Sequence, residues 1–412
     1  MLGVEEIMKV LYINTYFYGG GAELVVRQLY YSMKSEDIET YCVVGRIQKD
    51  LPKEVESIYS GFFDRAYTTI VGGFLNNTLL RTKVARRKII DYIIKEKIDI
   101  VHFHNIHSNY FGLEDILEIQ KYCKNIVITL HDMWLLTGGC AYSCECMKWE
   151  KSECKECKGN YSMAPFKYSS MVYKKKKYNY QGRGISYITP SKWLQNQCIQ
   201  GYMKEESVKV INNGLDMFSY KAHNKGEMRE LFHFPQNKNL LLFVANGIRN
   251  PFKGFPYLLE ALKLIKNKDK YALVIVGNKE EDPIHLDYEL FTMGYISSSE
   301  KMNQLYSAAD LFIHPSVADV YPFTPMESLA SGTPVLAFKT GGIPEIVTEE
   351  VGWLVESRNS TQLAQRIEEI FDNKELLKQK TKASRIDAEK RFDIKNMISG
   401  YRNLYKELLK EG

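Results

Sequence analysis

The sequence predicts an α/β protein with two doubly wound domains, each built on a parallel sheet. Its 412 residues are too many for one ordinary hydrophobic core and suit two domains of roughly 200 residues each. Short apolar runs alternate with helical patterns along the chain, which is typical of parallel strands joined by crossover helices. The two halves also open alike, with an apolar strand, a loop and a helix, in "VLYINTYFYGGGAELVVRQL" and "LLFVANGIRNPFKGFPYLLEAL".

The predicted strands are the short apolar runs of each half. In the first half they are "KVLYINTY", "ETYCVVG", "DIVHFHN", "NIVITLHD" and "SYITPS". In the second half they are "NLLLFVANG", "YALVIVGN", "DLFIHPS", "TPVLAF" and "GWLVE". Helical patterns such as "AELVVRQLYYSM" and "FPYLLEALKLI" lie between them. Because ligands of open parallel sheets bind at the carboxyl ends of the strands, we expect the two domains to face each other across a ligand-binding cleft.

The domain boundaries follow from the places where this pattern breaks. An N-terminal domain is predicted at residues 1–215, with a cysteine-rich insert at 138–160. A polar stretch at 216–238 is predicted to be a linker, and the second domain follows at 239–394. Residues 395–412 close the chain as a helix, which we expect to pack back on the N-terminal domain.

Composition and charge exclude some classes of protein. With 45% hydrophobic and 25% charged residues, and no apolar run near the roughly 18 residues of a membrane span, we expect a soluble globular protein. No signal peptide is recognised before the first strand, residues 1–7 resemble a loose leader, and a cytoplasmic location is expected. The net charge of +5 is spread along the chain and does not demand nucleic acid as a partner.

One dense basic cluster, Lys174–Lys177, lies in "FKYSSMVYKKKKYNYQGRG". Basic residues mixed with aromatic ones can hold a protein to anionic lipid or to a lipid-linked substrate, which would give a peripheral contact at the inner face of the membrane. The alternative is a solvated loop or helix face. The sequence leaves both interpretations open.

Three glycines, Gly19, Gly20 and Gly21, follow the first predicted strand and open a helix. Glycine lets the backbone approach a ligand closely, and the amides at the start of a helix attract phosphate. The pattern is neither the dinucleotide-binding motif nor a P-loop, so a tight turn without a ligand is the alternative.

Arg249 and Lys253 occupy the matching loop of the second half. Two cations after a strand and before a helix suit a diphosphate, and a charge-assisted bond to phosphate in an enclosed site contributes about 1.5–3 kcal/mol. The alternative is a pair of solvated surface cations.

Two carboxylates bracket a loop and a helix start in "DVYPFTPMESLASGTPVLAF". Thr324, Pro325 and Glu327 have the form of a helix N-cap, a first-turn proline and a capping-box glutamate, so a cap is the structural interpretation of Glu327. Capping does not explain Asp319, which lies beyond a loop with two prolines. A loop folded over a helix start would bring both carboxylates and several amides to one point, where they could hold a sugar and its phosphate.

These residues resemble a known family. Asp319 and Glu327 with seven residues between them, followed by "SGTPVLAF" and "GGIPEIV", resemble the signature of the retaining glycosyltransferases of family 4. The runs "LYSAADLFIHPS" and "INNGLD" fit as well, and "GGGAE", "DIVHFHNIHSNY" and "TLHDMW" resemble the first domain of members that assemble surface polysaccharides. The resemblance covers nearly the whole chain and implies the GT-B fold, with two Rossmann-like domains.

The resemblance also implies a role for each matching residue. Glu327 would hold the ribose hydroxyls of a UDP- or GDP-sugar, and Asp319 would contact hydroxyls of the donor sugar. His131 would face the sugar from the first domain, which would serve the acceptor side. The remaining matches would bind the nucleotide: Gly20, Gly21, Arg249 and Lys253 at the diphosphate, the backbone amides of Phe323 and Thr324 at sugar and phosphate, and Tyr295 at the base.

The sequence departs from the family pattern at two positions. The first acidic residue is usually glutamate, and Asp319 is one methylene shorter. The arginine commonly found five residues before the lysine is replaced by Ile248, so that Arg249 would act from one position further on.

The implied reaction is transfer of a sugar, with retention of configuration, to a glycan or lipid-linked acceptor in surface polysaccharide biosynthesis. Negative charge grows on the departing diphosphate, and fixed cations and helix-start amides can stabilise it. The chain contains no Asp-x-Asp triplet of the kind that holds a catalytic cation, so Arg249 and Lys253 are expected to replace the metal. A nucleotide-sugar epimerase on the same scaffold and a zinc-ribbon nucleic-acid-binding protein are the alternatives.

The histidines of "VHFHNIH" can be interpreted in two ways. His102, His104 and His107 could form a metal site, or they could line the cleft and form hydrogen bonds, which is the commoner use of such histidines. His131, followed by Asp132, is the better candidate for a functional side chain.

Five cysteines form the pattern C-x3-C-x-C-x7-C-x2-C in "GGCAYSCECMKWEKSECKECKG". In a reducing compartment, close thiolates favour a structural zinc ion over disulfides. Because four thiolates satisfy zinc, the predicted ligands are Cys140, Cys146, Cys154 and Cys157, with Cys144 spare. The alternative is a loop without metal.

Overall fold

The computed structural model describes residues 7–35, 37–59, 83–107, 110–157, 168–277 and 286–411. The chain divides into two compact units. Unit 1 comprises Met1–Asn212 together with Met397–Gly412, and unit 2 comprises Asn213–Asn396.

Unit 1 is built on a sheet whose described strands are all parallel. The strands are β1 (Met8–Asn14), β2 (Ile38–Arg46), β3 (Val55–Tyr59), β4 (Ile100–Phe103), β5 (Asn125–Thr129), β6 (Ser186–Thr189) and β7 (Val208–Val210). Their order across the sheet is β3-β2-β1-β4-β5-β6-β7. The chain therefore runs outward from β1 in one direction and then outward from β4 in the other, so the strand order reverses between β1 and β4.

Helices connect and cover these strands. They are α1 (Gly21–Ser32), α2 (Lys83–Glu96), α3 (Asp115–Ile119), α4 (Lys148–Lys151), α5 (Ser169–Tyr180) and α6 (Lys192–Gln200). The last helix of the chain also packs on this unit, through the buried side chains Tyr401 and Tyr405. The Tyr405 hydroxyl lies 2.7 Å from His102 Nδ1, and the Tyr401 hydroxyl lies 2.9 Å from Thr129 Oγ1. These buried hydrogen bonds fix the position of the helix, because moving it would leave buried polar groups without partners, which costs free energy.

Unit 2 contains a second parallel sheet. Its described strands are β8 (Asn239–Val244), β9 (Tyr271–Val276), β10 (Glu289–Thr292), β11 (Leu311–His314), β12 (Val335–Phe338) and β13 (Gly352–Val355). Their order is β10-β9-β8-β11-β12-β13, so the reversal of strand order lies between β8 and β11. The core strands are almost continuously apolar, as in "YALVIV" of β9, because helices cover both faces of a doubly wound sheet.

The helices of unit 2 begin with α7 (Lys225–Leu231) and a short 3₁₀ helix (Pro251–Lys253). They continue with α8 (Phe255–Leu264), α9 (Ser299–Ala308), α10 (Phe323–Ala330), α11 (Ile343–Ile346), α12 (Ser360–Asp372), α13 (Lys374–Phe392) and the first residues of α14 (Ile394–Glu411). The core includes the buried side chains Leu258, Leu262, Leu363 and Ile367 of α8 and α12.

The stretch at 216–238, predicted to be a linker, is part of unit 2. It contains α7, whose Arg229 is buried and forms an ion pair with Asp310 at 2.6 Å between Nη2 and Oδ2. This buried ion pair shows that α7 is packed into unit 2. The linker was predicted from the polar composition of the stretch, and that composition did not indicate the packing. The strands β3, β7 and β10 were also not predicted, because each is short and carries charged residues.

In both units the strand order places particular loops together. A reversal of strand order leaves an opening at the carboxyl ends of the two central strands, and ligands of doubly wound sheets bind there. In unit 1 these are the loops after β1 and β4, and in unit 2 they are the loops after β8 and β11. Among the described residues, none of the helices combines the length and the apolar character that crossing a membrane requires.

Candidate active site

The loops after β8 and β11 of unit 2 interlock through their backbones. Gly254 has φ +70°, and a Cβ atom at this position would lie 1.7 Å from the carbonyl oxygen of Pro315. The Val317 amide donates to the Phe252 carbonyl at 2.9 Å, and the Ser316 hydroxyl donates to the same carbonyl at 2.8 Å. Only glycine permits this approach. The contact fixes Lys253, just before Gly254, relative to the loop that carries Asp319.

Lys253 and Asp319 form a partly buried ion pair, in which the carboxylate is the enclosed partner. The Lys253 Nζ atom lies 3.0 Å from Oδ1 and 3.1 Å from Oδ2 of Asp319, and His314 Nε2 lies 3.2 Å from Oδ2. Burial by itself would raise the pKa of Asp319, but the Lys253 ammonium and the His314 contact outweigh it and hold the pKa below its usual value. Burial lowers the pKa of His314 more than the neighbouring carboxylate raises it. This triad therefore consists of a lysine cation, a carboxylate and a histidine with a depressed pKa.

Glu327 of α10 is held by two tyrosines. The Tyr220 hydroxyl donates to Oε1 and the Tyr306 hydroxyl donates to Oε2, each at 2.9 Å. Burial raises the pKa of Glu327, while both tyrosine hydrogen bonds act to lower it. The residue as a whole is half-buried, so part of its side chain remains accessible. We refer to Lys253, His314, Asp319 and Glu327, with the two tyrosines, as the carboxylate site.

The capping interpretation of Glu327 is wrong. Helix α10 begins at Phe323 with Pro322 in the N-cap position and no side-chain cap, so Thr324 lies inside the helix and is not its N-cap. Glu327 is therefore in the second turn, too far along the helix to cap it, and its carboxylate bonds to tyrosines. Phe323 and Thr324 are the first two residues of the helix, where backbone amides lack partners within the helix.

Arg249 and Tyr295 lie at the surface of unit 2. Arg249 is exposed in the turn after Gly247, which has φ +75°, whereas Ile248 is buried with 4% exposure. An apolar side chain is thus packed where the family pattern has arginine, and the cation is displaced by one residue. Tyr295 follows β10 and is 63% exposed, so its ring is available for stacking.

In unit 1 the predicted glycine loop has the expected form. Gly20 is the N-cap of α1 and Gly21 is its first residue, and both are exposed. Glu23, in the first turn, is buried, and the Asn14 side chain at the end of β1 donates to it at 3.5 Å. The helix start therefore presents amides at the reversal of strand order, close to an acidic side chain.

The histidines of unit 1 lie close to one another in a group that we call the histidine cluster (His102, His104, His107, His131 and Asp132). His104 Nδ1 lies 2.9 Å from His131 Nε2, with the rings stacked at 5.2 Å. His107 Nε2 lies 3.3 Å from Asp132 Oδ2. Burial lowers the pKa of His131 to about 4 and also holds those of His102 and His104 well below the usual value. At neutral pH these three rings are uncharged.

This arrangement supports the hydrogen-bonding interpretation of the histidines over the metal site. His102 bonds to Tyr405 and Thr129, and His104 bonds to His131. Within the residues that the structure describes, no three His, Cys, Asp or Glu side chains come together so that they could hold a metal ion.

The same finding applies to the cysteine cluster. Cys140 and Cys154 interact electrostatically with each other and with Cys146 and Cys157, so the four lie in one region, but in the described residues they do not assemble as metal ligands. Burial raises the pKa of Cys140 to about 12 and that of Cys154 to about 11, which keeps both thiols protonated. The structural zinc ion predicted from their spacing stays a prediction.

Lys176 is the buried exception in a basic run whose other lysines lie on a partly solvated helix face. Its side chain is completely buried, its Nζ atom donates to the carbonyls of Trp134 and Thr137, and it lies 3.4 Å from the centre of the Trp134 ring. Burial lowers its pKa to about 7. The other three lysines of the run pair with acidic side chains: Lys174 and Lys177 with Glu153, and Lys175 with Glu114.

Sequence reasoning missed three side chains of the carboxylate site. Tyr306 and His314 lie inside the motif "LYSAADLFIHPS". The available signal was their place beside β11, since Tyr306 is in the helix before this strand and His314 is its last residue. Tyr220 gave no signal, because it lies in the stretch interpreted as a linker. Its segment is held by Arg385 of α13, which donates to the carbonyls of Tyr220 and Ala330.

Two family models match the chain. Residues 19–217 match the model described as Glycosyltransferase Family 4, and residues 224–387 match the model described as Glycosyl transferases group 1. The first match falls mainly on unit 1 and the second on unit 2. Together they account for most of the chain.

The chain is also similar to bacterial proteins of known class. It is 24% identical over 284 residues to WcaC of Escherichia coli (strain K12), a glycosyl transferase assigned to colanic acid biosynthesis, covering 65% of this chain and 66% of WcaC. It is 24% identical over 217 residues to the N,N'-diacetylbacillosaminyl-diphospho-undecaprenol alpha-1,3-N-acetylgalactosaminyltransferase of Campylobacter jejuni subsp. jejuni, covering 50% of this chain and 56% of that enzyme. The chain thus spans between about half and two thirds of the length of these curated relatives.

Among solved structures, the chain is similar to HepE of Anabaena in complex with UDP-glucose. The TM-score is 0.66 with 18% sequence identity, and the match covers 98% of this chain and 100% of HepE. At this identity the likeness shows the fold. It confirms the GT-B fold with two Rossmann-like domains that the sequence predicts.

Proposed function

Because this chain belongs to the glycosyltransferases, with a family 4 domain followed by a group 1 domain, we propose that it transfers a sugar from a nucleotide-sugar donor to a glycan or lipid-linked acceptor. Two relatives support a role in bacterial surface polysaccharide assembly, since one is assigned to colanic acid biosynthesis and the other acts on a diphospho-undecaprenol substrate. The epimerase alternative receives no support from these comparisons, which are to transferases.

The observation that carries the proposal is the environment of Glu327. An ionised carboxylate offers about four acceptor positions, and the hydroxyls of Tyr220 and Tyr306 occupy one on each oxygen. One position on each oxygen is left, which matches the two adjacent hydroxyls of a ribose. Because the carboxylate is already oriented by the tyrosines, the nucleotide would meet a preorganised acceptor.

The diphosphate would bind beside it. Lys253 carries a cation at the end of the 3₁₀ helix that precedes α8, Arg249 lies in the same β8–α8 connection, and the start of α10 offers the amides of Phe323 and Thr324. Negative charge that develops on the leaving group is stabilised by such fixed donors, an effect often worth several kcal/mol. We therefore propose that transfer is independent of a divalent cation. Tyr295 would stack on the base, with UDP- and GDP-sugars as the candidate donors.

We assign His131 to a sugar hydroxyl. With its pKa lowered to about 4 the ring is neutral at physiological pH, so it can donate or accept a hydrogen bond but does not repel a cationic transition state. Retention of configuration is proposed from the family membership. In that mechanism the acceptor hydroxyl attacks on the face from which the diphosphate departs.

The experiment begins with calorimetric titration of the wild-type protein with UDP, GDP, UDP-glucose and GDP-mannose. Glu327→Gln should weaken the binding of the cognate nucleotide by about 10- to 100-fold, because it loses a charge-assisted hydrogen bond of about 1.5–3 kcal/mol. Glu375→Gln, at an exposed position of α13, is the control and should bind normally. A 2′-deoxy nucleotide should lose affinity for the wild type and little further for Glu327→Gln. Equal binding of all ligands by wild type and variant contradicts the proposal.

Transfer itself is tested with the cognate donor and extracted lipid-linked glycans. Product should form only when acceptor is added, which separates transfer from epimerisation, and activity should survive removal of divalent cations with EDTA. The anomeric configuration of the product, determined by NMR, tests retention. Activity that requires magnesium or manganese contradicts metal independence.

Two further expectations stay as proposals with their own tests. The exposed lysines of α5 and Tyr178, which is 71% exposed, suit a peripheral contact with the inner face of the membrane, testable by flotation with anionic and zwitterionic vesicles. A cytoplasmic location is proposed on the same basis. Zinc in the cysteine cluster is tested by the metal content of protein purified without chelator.

A further inference from the structure

One hydrogen bond joins the rings of His104 and His131 in unit 1. His104 Nδ1 lies 2.9 Å from His131 Nε2, and the ring planes are inclined by 18°. A hydrogen bond between two imidazole nitrogens needs a proton on one and a lone pair on the other, so at least one ring is uncharged. Burial lowers the pKa of both rings, and both are therefore neutral at physiological pH.

Two neutral imidazole rings carry two protons on four nitrogens. One proton lies in the shared hydrogen bond, and the other lies on one of the two outer nitrogens. If His104 donates, its own Nε2 is a lone pair, and His131 carries its proton on Nδ1. If His131 donates, its Nδ1 is a lone pair, and His104 has an N–H group at Nε2. The surroundings of the outer nitrogens therefore decide which ring donates.

The two outer nitrogens have different surroundings. His104 is 3% exposed, and its Nε2 atom is enclosed and has no hydrogen-bond partner among the described residues. The His102 ring lies against the His104 ring, but both nitrogens of His102 already bond to Tyr405 and Thr129. His131 is half-buried, and its Nδ1 atom is not enclosed. Because a buried N–H group without a partner is rarer than a buried acceptor without one, His104 is the donor.

The backbone holds both rings in place. The His104 amide donates to the Ile13 carbonyl of β1 at 2.9 Å. The Leu130 amide, just before His131, donates to the Ile188 carbonyl of β6 at 2.8 Å. The two histidines follow β4 and β5, which are paired in the sheet. The shared hydrogen bond is therefore built into the sheet and does not require a ligand.

We infer that His104 is a positioning residue, which donates to His131 Nε2 and thereby makes His131 Nδ1–H a hydrogen-bond donor toward an oxygen atom of the sugar. A hydroxyl or a carboxylate oxygen can accept from this group, whereas an ammonium group would face another donor. The sugar partner rests on the proposed function, but the position of the proton is a property of the protein without ligand.

The position of the proton is measured by two-dimensional NMR of the wild-type protein labelled with ¹⁵N-histidine, at about pH 7.5 and without ligand. Protonated and unprotonated ring nitrogens differ in their ¹⁵N shifts, and the two rings are assigned by the absence of their signals from His104→Asn and His131→Gln. Both rings should carry their proton on Nδ1. A proton on His131 Nε2, alone or together with one on Nδ1, overturns the inference.

Variants of His104 test whether this residue sets the proton position in His131. His104→Leu removes the donor, so the Nε2–H form of His131 should appear, because the bond at one ring nitrogen decides which nitrogen is protonated. His104→Asn keeps an amide nitrogen on the γ carbon, in the place of Nδ1, and should retain the Nδ1–H form. An unchanged His131 spectrum in His104→Leu would indicate a merely structural role and overturn the inference. Thermal unfolding monitors folding, and the wild-type spectrum decides the direction of the bond even if His104→Leu does not fold.

Calorimetry connects the proton position with sugar binding, using UDP with UDP-glucose and GDP with GDP-mannose. For the cognate pair, His104→Leu should weaken the sugar conjugate by about 2- to 10-fold and change the diphosphate by less than about 2-fold, because only a hydrogen bond to the sugar is lost. His104→Asn should restore the affinity, and His233→Gln, at an exposed position, is the control and should bind as the wild type does. Equal losses for both ligands contradict a contact with the sugar. If the wild type binds none of these ligands, the proposed function fails, whereas the NMR spectra still test the direction of the bond.

Discussion

The carboxylate site and the histidine cluster place polar side chains at equivalent positions of two similar sheets, at the carboxyl ends of central strands. The two regions differ in how they compensate for the cost of burying polar side chains. Lys253 and Asp319 are both charged and compensate each other, with the ammonium 3.0 Å from the carboxylate. The rings of His104 and His131 are neutral and share one hydrogen bond at 2.9 Å.

This difference determines which change destabilises each region. A buried ion pair is sensitive to the loss of one partner, because the other charge is then left without compensation. A neutral buried histidine does not reduce stability at neutral pH. Acidification lowers the free energy of unfolding, because protonation would place a charge in a poorly solvated site. Under the proposed function, a site that attracts a diphosphate needs a permanent cation, whereas a residue that faces sugar hydroxyls does not.

The largest loss of stability is expected from a substitution at Gly254, where the backbones of two loops meet beside the ion pair. Gly254→Ala should destabilise unit 2 by more than about 4 kcal/mol or prevent its folding, because the new Cβ meets the Pro315 carbonyl, which lies 1.7 Å away. Gly247→Ala is a matched control in the same loop: its φ is also positive, at +75°, but nothing lies within 4 Å of the added Cβ. It should cost only about 1–2 kcal/mol of backbone strain. Urea denaturation of both variants tests this, and equal losses contradict the interlocked loops.

Removing the cation tests charge compensation directly. Lys253→Met should lower the free energy of unfolding by about 1.5–3 kcal/mol at pH 7, because Asp319 remains buried without its ionic partner. The double variant with Asp319→Asn should recover part of this loss. Lys263→Met, at an exposed position of α8, is the control and should change stability by less than about 0.5 kcal/mol. A single variant as stable as the wild type would show that the pair contributes nothing.

The histidine cluster should make the stability of the protein depend on pH. The pKa of His131 is about 4 in the folded protein and near 6.5 in the unfolded chain, so the unfolded chain binds more protons between these values and stability falls as the pH falls from 6.5 to 4. By pH 5 this residue should account for a loss of about 1–2 kcal/mol, which His131→Gln avoids.

The measurement is urea denaturation at pH 7 and pH 5 for both proteins, with His233→Gln as the control at an exposed position. The control should lose as much stability as the wild type on acidification. If His131→Gln loses as much as they do, the ring is not held neutral by burial.

The smallest effect is expected at the tyrosines that hold Glu327. Tyr306→Phe should weaken nucleotide binding by about 2- to 10-fold, because it removes a hydrogen bond of about 0.5–1.5 kcal/mol that orients the carboxylate. The loss should be larger at pH 6 than at pH 8, since the hydroxyl acts to lower the pKa of Glu327. Tyr288→Phe removes a hydroxyl that bonds to the Leu262 carbonyl, away from the site, and should leave the calorimetric affinity unchanged. A pH-independent loss would contradict the electrostatic part of this account.

Much of the fold and part of the site could be predicted from the sequence, because the relevant signals are local. The alternation of apolar runs and helical patterns located the core strands of both units, and glycine and proline marked the loops after them. Lys253, Asp319 and Glu327 were recognised as candidates from their places after strands and in a known signature. Local patterns did not predict short polar strands such as β10, nor did they show that residues 216–238 belong to a packed unit.

The sequence by itself determined which charged and hydrogen-bonding residues follow the core strands and make up the proposed donor site. Only the tertiary structure decided which of them meet. Lys253 and Asp319 are 66 residues apart, and Tyr220 and Glu327 are 107 apart, so their contacts depend on the strand order that sets β8 beside β11 and on the helices packed around it. The tertiary structure also decided which side chains are buried. Of the four consecutive lysines of α5, Lys176 is enclosed, and burial lowers its pKa to about 7. The physical reason is that solvent exclusion and long-range packing are properties of the folded arrangement, whereas periodicity and turn chemistry belong to the local sequence.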